Sequence, residues 1–159
     1  MTQEEKQLLL KDLCARLPYG VKCLHIDPKD GQCIDTISGF DYGDKLDGLF
    51  DVYGYMHDVE KIKPYLRPMS SMTEEEAFEM FRIMFHHQVG LIGVDIDSDR
   101  FRFKRVDSDG HFAGHTVLFF NKIYSLEQLE WLNAHHFDYR GLIEKGLALE
   151  ASEGMYKNG

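Results

Sequence analysis

Val21-Lys-Cys-Leu-His-Ile-Asp-Pro-Lys-Asp-Gly-Gln-Cys-Ile-Asp-Thr-Ile-Ser-Gly-Phe40 decides the fold. Val21, Cys23 and His25 alternate with Lys22 and Leu24, which is strand periodicity. Asp30-Gly31 is a hairpin-type turn signal. Cys33 to Phe40 then reads as a second strand, and Leu49 to Tyr55 as a third. Gly39, Gly43, Gly48 and Gly54 punctuate the region, and glycine is costly inside helices. A small antiparallel sheet is therefore expected here.

Upstream, Leu9, Leu10, Leu13, Cys14 and Leu17 form an apolar stripe, which predicts a helix over Gln3 to Leu17. Cys14 lies on that stripe and reads as core. Pro18 and Gly20 end the helix. Downstream, Lys63 to Ser71 carries two prolines and reads as an extended connector between two lobes. Thr73-Glu-Glu-Glu76 matches a capping box, so a second helix is expected over Thr73 to His87. Strands are expected over Leu91 to Ile96, Arg100 to Val106 and Thr116 to Phe120. Ser125 opens a third helix with Leu126, Leu129 and Leu132 as its stripe. Asp138 caps a further short helix that Gly146 ends. Leu147 to Leu149 reads as a final strand. The fold class is α+β: an N-terminal helix with a small antiparallel sheet, then a helix-and-strand unit packed against it. The expected partition is 1–69 and 70–159, with one continuous core as the alternative.

The chain has 159 residues, so it needs no disulfide or metal merely to fold. Its three cysteines form no C-x-x-C pair, so a zinc knuckle and a redox motif are unsupported. No secretory signal is visible and no apolar run reaches membrane-spanning length, so a soluble, cytoplasmic protein with reduced thiols is expected. The formal charge is −9, which argues against a general duplex-DNA binder. The charge is concentrated. Nine acids lie from Asp27 to Glu60 and only Lys29 and Lys45 oppose them, for a local charge of −7.

Several patterns mimic sites. Asp95-Ile-Asp97-Ser-Asp99 opens like a calcium loop, but position six is Arg100 and position twelve is Val106, where glycine and glutamate belong. His111 and His115 would pair on a helix, yet on a strand they lie roughly 13 Å apart. A metal site would need His86, His111, His115, His135 and Asp138 to converge from separate elements. Arg100-Phe-Arg-Phe-Lys-Arg105 interleaves cations and aromatics as single-strand nucleic-acid platforms do. Its alternation, however, puts Phe101 and Phe103 opposite Arg100, Arg102 and Lys104, which reads as a half-buried strand. Trp131, His135, His136 and Tyr139 form an aromatic and imidazole cluster that would line an interface, or else pack the helix onto the sheet. No nucleophile elbow, phosphate loop or dinucleotide fingerprint occurs.

Two stretches, Ile62-Lys-Pro-Tyr-Leu-Arg-Pro-Met-Ser-Ser-Met-Thr-Glu-Glu-Glu76 and Trp131-Leu-Asn-Ala-His-His-Phe-Asp-Tyr-Arg-Gly-Leu-Ile-Glu-Lys-Gly-Leu-Ala-Leu-Glu-Ala151, together with Leu17-Pro-Tyr-Gly-Val21, resemble small uncharacterised proteins encoded by prophages and mobile elements of gut bacteria. The resemblance implies a phage-associated protein acting inside a bacterial cell, and carries over no catalytic residue.

The functional expectation is a non-enzymatic protein-interaction module without a cofactor. Its acidic N-terminal surface, with Asp41, Asp44, Asp47 and Asp51, would engage a basic protein partner. The alternatives are a metal-dependent hydrolase or nuclease built on the converging histidines, and a single-strand nucleic-acid-binding accessory protein using Arg100, Arg102 and Lys104.

Overall fold

The structure is a computed structural model that describes residues 1–42, 47–86 and 90–156. The chain groups into two compact units, Met1–Arg67 with Asn133–Gly159, and Pro68–Leu132. This differs from a partition into 1–69 and 70–159. The first seam falls at the expected connector, but the C-terminal stretch belongs with the N-terminal one.

In the first unit, helix α1 spans Gln3–Arg16 and strands β1 to β5 span Lys22–Asp27, Gly31–Tyr42, Asp47–Asp51, Met56–Asp58 and Lys63–Leu66. Strand β9, Leu149–Glu150, completes a six-stranded sheet in the order β4-β3-β2-β1-β5-β9. The stretch read as a connector is thus an interior strand. Pro64 sits opposite Cys23 on β1, and on the other side Tyr65 and Leu66 pair parallel with Leu149 and Glu150. Residues 62–76 and 131–151 are therefore hydrogen-bonded neighbours. Arg67 N–H donates to the His136 carbonyl at 2.8 Å, and Asp138 N–H donates to the Arg67 carbonyl at 2.8 Å.

Helix α1 begins with a complete capping box, Thr2 exchanging hydrogen bonds with Glu5. Leu9 and Leu13 are fully buried with Val21, Cys23, Ile37, Leu49, Ile62 and Leu66. Cys14, expected in the core, is exposed. Its place on the buried face is taken by Asp12 and Arg16, both fully buried. Arg16 donates from Nε and Nη2 to the two Asp12 oxygens at 2.7 and 3.0 Å, and from Nη2 to the Phe137 carbonyl at 2.8 Å. Arg140 Nε adds a donor to Asp12 at 3.1 Å. A buried ion pair survives desolvation only with such geometry, and here it ties α1 to the returning C-terminal stretch.

In the second unit, helix α2 spans Glu74–Met84, strands β6 to β8 span Gly90–Ile96, Arg100–Val106 and Phe112–Phe119, and helix α3, Leu126–Ala134, crosses the seam. Thr73 and Glu76 form the expected capping box. The three strands make an antiparallel sheet in the order β6-β7-β8. Phe101 and Phe103 are buried, and Phe81 of α2 packs on Phe103 with ring centroids 4.5 Å apart. Leu126, placed on the apolar stripe of α3, is 65% exposed, whereas Gln128 is buried. Gln128 faces inward because its side-chain oxygen accepts from the Tyr124 amide at 2.7 Å. Among the described residues no helix is long and apolar enough to cross a membrane.

Candidate functional site

The site grows out of the bend in β2. The first half of β2 pairs with β1 and the second half with β3, and the register shifts between Ile37 and Gly39. A shift of this kind turns a strand and increases its twist. On one side of the bend His25 stands opposite Cys33, and Cys23 opposite Asp35. His25 and Asp35 are thus diagonal neighbours on one face, close enough for long side chains to meet. On the other side the pattern repeats. His57 stands opposite Leu49, and Asp51 is two residues along β3 from Leu49.

Each imidazole is held by the carboxylate beside it. His25 Nε2 pairs with Asp35 Oδ2, and His57 Nε2 pairs with Asp51 Oδ2 at 2.8 Å. The two rings then meet, with centroids 4.2 Å apart and planes inclined by 47°. Asp51 is nearly fully buried and has three donors. Its Oδ1 accepts from the amides of Tyr53 at 2.8 Å and Tyr55 at 3.0 Å. Burial pushes its carboxyl up. The hydrogen bonds from His57 and from the Tyr55 and Tyr53 amides overcome that and hold it below the usual aspartate value. Asp51 therefore also shapes the turn after β3, which Gly54 completes at φ 85°. That turn displays Tyr53 and Tyr55 at 74% and 70% exposure.

Both histidines line a cleft of about 750 Å³. Asp27, Asp30, Asp35, Asp51 and Asp58 contribute carboxylates to it, and Lys29 and Lys61 contribute cations. Asp27 lies below its usual value because the Lys29 and Asp30 amides both donate to its Oδ1, at 2.7 and 3.0 Å. Asp58 Oδ1 accepts from the Glu60 amide at 3.0 Å. The Cys33 thiol, also on the lining, is pushed up by burial and by Asp27, Asp30 and Asp35. Exposed Ile26 and Met56 supply apolar surface alongside the two tyrosines.

The candidates read from sequence are distributed differently. Of the acidic set, Asp51 is in the cleft. Asp41 is exposed near the end of β2, Asp47 opens β3, and Asp44 lies outside the described residues. Trp131, His136 and Tyr139 are buried, at 6%, 3% and 8% exposure, and His135 is half-buried. Three of the four are thus interior side chains. His136 stacks on Tyr156 at 3.8 Å, and Tyr139 Oη donates to Asn133 Oδ1 at 2.9 Å. Asp138 spends its two oxygens on the Leu142 and Ile143 amides, each at 2.8 Å, so it is a cap and no metal ligand.

The proposed metal set does not assemble. Among the described residues the one group of three potential ligands with atoms within 4.8 Å of one another is Asp107, Asp109 and His111, all exposed. There Asp107 Oδ1 accepts from the Asp109 and His111 amides and so closes the turn between β7 and β8. His86 is exposed beyond the end of α2, and His115 is exposed on β8. Arg100, Arg102 and Lys104 are each offset by a carboxylate. The pairs are Arg100 with Asp99 at 2.7 Å, Arg102 with Asp97 at 3.6 Å, and Lys104 with Asp95 at 3.4 Å. Three of the four cations of the basic strand are therefore offset.

His25, Asp35 and His57 were not singled out from the sequence. The signal for the first two was present, because the Asp30-Gly31 turn sets a register in which they fall diagonally opposite. No protein-family model, curated protein or solved structure matches the chain.

Proposed function

We propose that this chain is a protein-interaction module whose acidic N-terminal surface receives a basic partner, and that the cleft of the first unit is the receiving site. The observation that carries the reading is the charge of the cleft wall, with five aspartates facing two lysines. Electrostatic complementarity of this kind sets partner choice and association rate. The exposed Tyr53 and Tyr55 fit the same role, since tyrosines at a rim supply rigid contact area and π-faces for a cation. The prophage resemblance supports a setting inside a bacterial host, where basic nucleic-acid-binding proteins are abundant partners of the required charge.

The test is calorimetric titration of the full chain with a lysine- and arginine-rich peptide at 50 and 300 mM salt. Binding should weaken strongly with salt, as screening demands. The triple variant Asp27→Asn, Asp30→Asn, Asp58→Asn should bind at least tenfold more weakly. Binding that ignores both salt and these substitutions would refute the reading.

A further inference from the structure

Strand β8, Phe112–Phe119, is an outer strand of the β6-β7-β8 sheet. The hydrogen bonds at its end show which of its backbone groups look outward. Phe120 N–H donates to the Asp99 carbonyl at 2.9 Å, so residue 120 turns its amide toward β7. Hydrogen-bonding direction alternates along an antiparallel strand. Leu118 and Thr116 therefore also face β7, while Phe119, Val117 and His115 face away. Two contacts agree with this phase. Phe119 N–H donates to Tyr124 Oη at 3.1 Å. Asp97 N–H donates to the Arg100 carbonyl, which puts the backbone groups of Arg100, opposite Phe119, on the β6 side. Among the described residues nothing pairs with the outward amides and carbonyls of His115 and Val117. The open run stops at Gly114, φ 108°, beside the register shift at the start of the strand.

Edge strands are ordinarily blunted by charge, proline or a bulge. The opposite edge, β6, carries Asp95 and a register shift between Leu91 and Gly93. From Phe112 to Phe120, by contrast, there is no Asp, Glu, Lys, Arg or Pro. Phe112 is 60% exposed, Val117 38%, and Tyr124, beside Phe119, 45%. A chain of net charge −9 repels its own copies, so they meet most readily through a neutral strip, and this edge is one.

We infer that this edge receives a second copy of the chain, β8 pairing antiparallel with β8 about a two-fold axis at Thr116. The outward groups are self-complementary in that register. His115 of each copy stands opposite Val117 of the other, and each such pair exchanges both of its N–H···O bonds. Thr116 meets Thr116 in the close pair between them, a favourable cross-strand match. The antiparallel direction carries Phe112 of one copy to the Phe119–Tyr124 end of the other, so the exposed rings flank the strands. The pairing consumes the β8 edge of both copies and therefore closes at a dimer. Pairing β8 with β6 would leave free edges and grow a filament, and the bulge and Asp95 of β6 oppose it. An interface centred on one strand pair is small, so the dimer exchanges with monomer.

The experiment is sedimentation equilibrium of the full chain over a hundredfold range of concentration. The mean mass should rise from that of one chain toward that of two and stop there. Val117→Pro deletes an outward amide that bonds nothing within the chain, a change edge strands tolerate. It should keep the native circular dichroism and weaken dimerisation at least tenfold. Val117→Lys, which puts a cation on the edge, should do the same. Thr116→Cys reads the register, in a chain whose exposed Cys14 is replaced by serine. Residues in a close antiparallel pair lie about 4.5 Å apart at Cα, within disulfide reach. Mild oxidation should therefore bridge two copies at position 116, as read by mass spectrometry, whereas Ile92→Cys, exposed on β6, should form no such bridge. A chain that stays monomeric throughout, a dimer that both Val117 variants leave unchanged, or bridging at position 92 in place of 116 would overturn the inference.

Discussion

His25 and His57 stand on strands separated by two others in the sheet, and their rings lie 4.2 Å apart. The bend in β2 closes that gap by turning the β1–β2 and β3–β4 hairpins so that equivalent faces look at each other. The same bend gathers the acidic residues, which lie far apart along the chain, into one wall.

Asp51 is the residue on which this geometry leans most. Asp51→Ala removes one hydrogen bond from His57 and two from the Tyr53 and Tyr55 amides. The expected loss is about 2–4 kcal/mol, measured by urea denaturation, and Asp51→Asn should cost less. The native carboxyl titrates below its unfolded value. Its contribution is therefore complete above the ordinary aspartate pKa and is lost as the pH falls through the lower native one. Melting curves between pH 2 and 6 should show a shallower acid loss for Asp51→Asn than for the native chain.

The buried pair of α1 gives a sharper contrast. Asp12→Ala strands the Arg16 guanidinium in the core beside Arg140 and should cost about 3–5 kcal/mol. The double change Asp12→Leu, Arg16→Met removes both charges and should recover most of that loss. Urea midpoints of the single and double variants decide the matter.

His136 supplies a second pH signature. Burial, helped by nearby Arg16, His135 and Arg67, lowers it to about 4, against the opposing hydrogen bond with the Tyr19 backbone. The unfolded chain therefore binds more protons between pH 6.5 and 4, and stability falls as the pH drops through that window. The full contribution, about 3 kcal/mol, is present above pH 6.5. His136→Asn suits the native φ of 58°, because asparagine tolerates the left-handed region. It should flatten the stability profile between pH 4 and 6.5.

Charge reversal on β7 tests the nucleic-acid alternative. Arg102 and Lys104 are exposed and matched by Asp97 and Asp95. Arg102→Glu with Lys104→Glu should change stability by no more than about 1 kcal/mol. The native chain should not retard single-stranded DNA or RNA at low salt. Retardation that the double change abolishes would contradict this.

Local signals in the sequence described local structure well. Thr73-Glu-Glu-Glu76 announced α2, and the alternation of Arg100 to Arg105 separated the buried phenylalanines from the more accessible cations. Features that depend on distant pairing were hidden. Lys63 to Ser71 reads as a connector because its two prolines discourage an interior strand, and the parallel neighbour of Tyr65, Leu149, lies far along the chain. The cleft was half-visible. The Asp30-Gly31 turn dictates that His25 meets Asp35, but the meeting of His25 with His57 needs the register shift at Ile37, which no residue pattern announces. The burial of Asp12 and Arg16 was hidden too, because the Phe137 carbonyl and Arg140 that make it tolerable lie more than a hundred residues away.

The interleaving of the two units bears on how the chain is made. Residues 68–132 form an insertion between the two parts of the first unit. On the ribosome the second unit has all its strands before the first has its last one. β5 must wait, with one edge unpaired, until Leu149 emerges. An unpaired strand edge is prone to wrong partners. Synthesis therefore imposes an order in which the strands of the inserted unit are all made while the cleft-bearing unit still lacks one, and the cleft's sheet closes only once Leu149 has emerged.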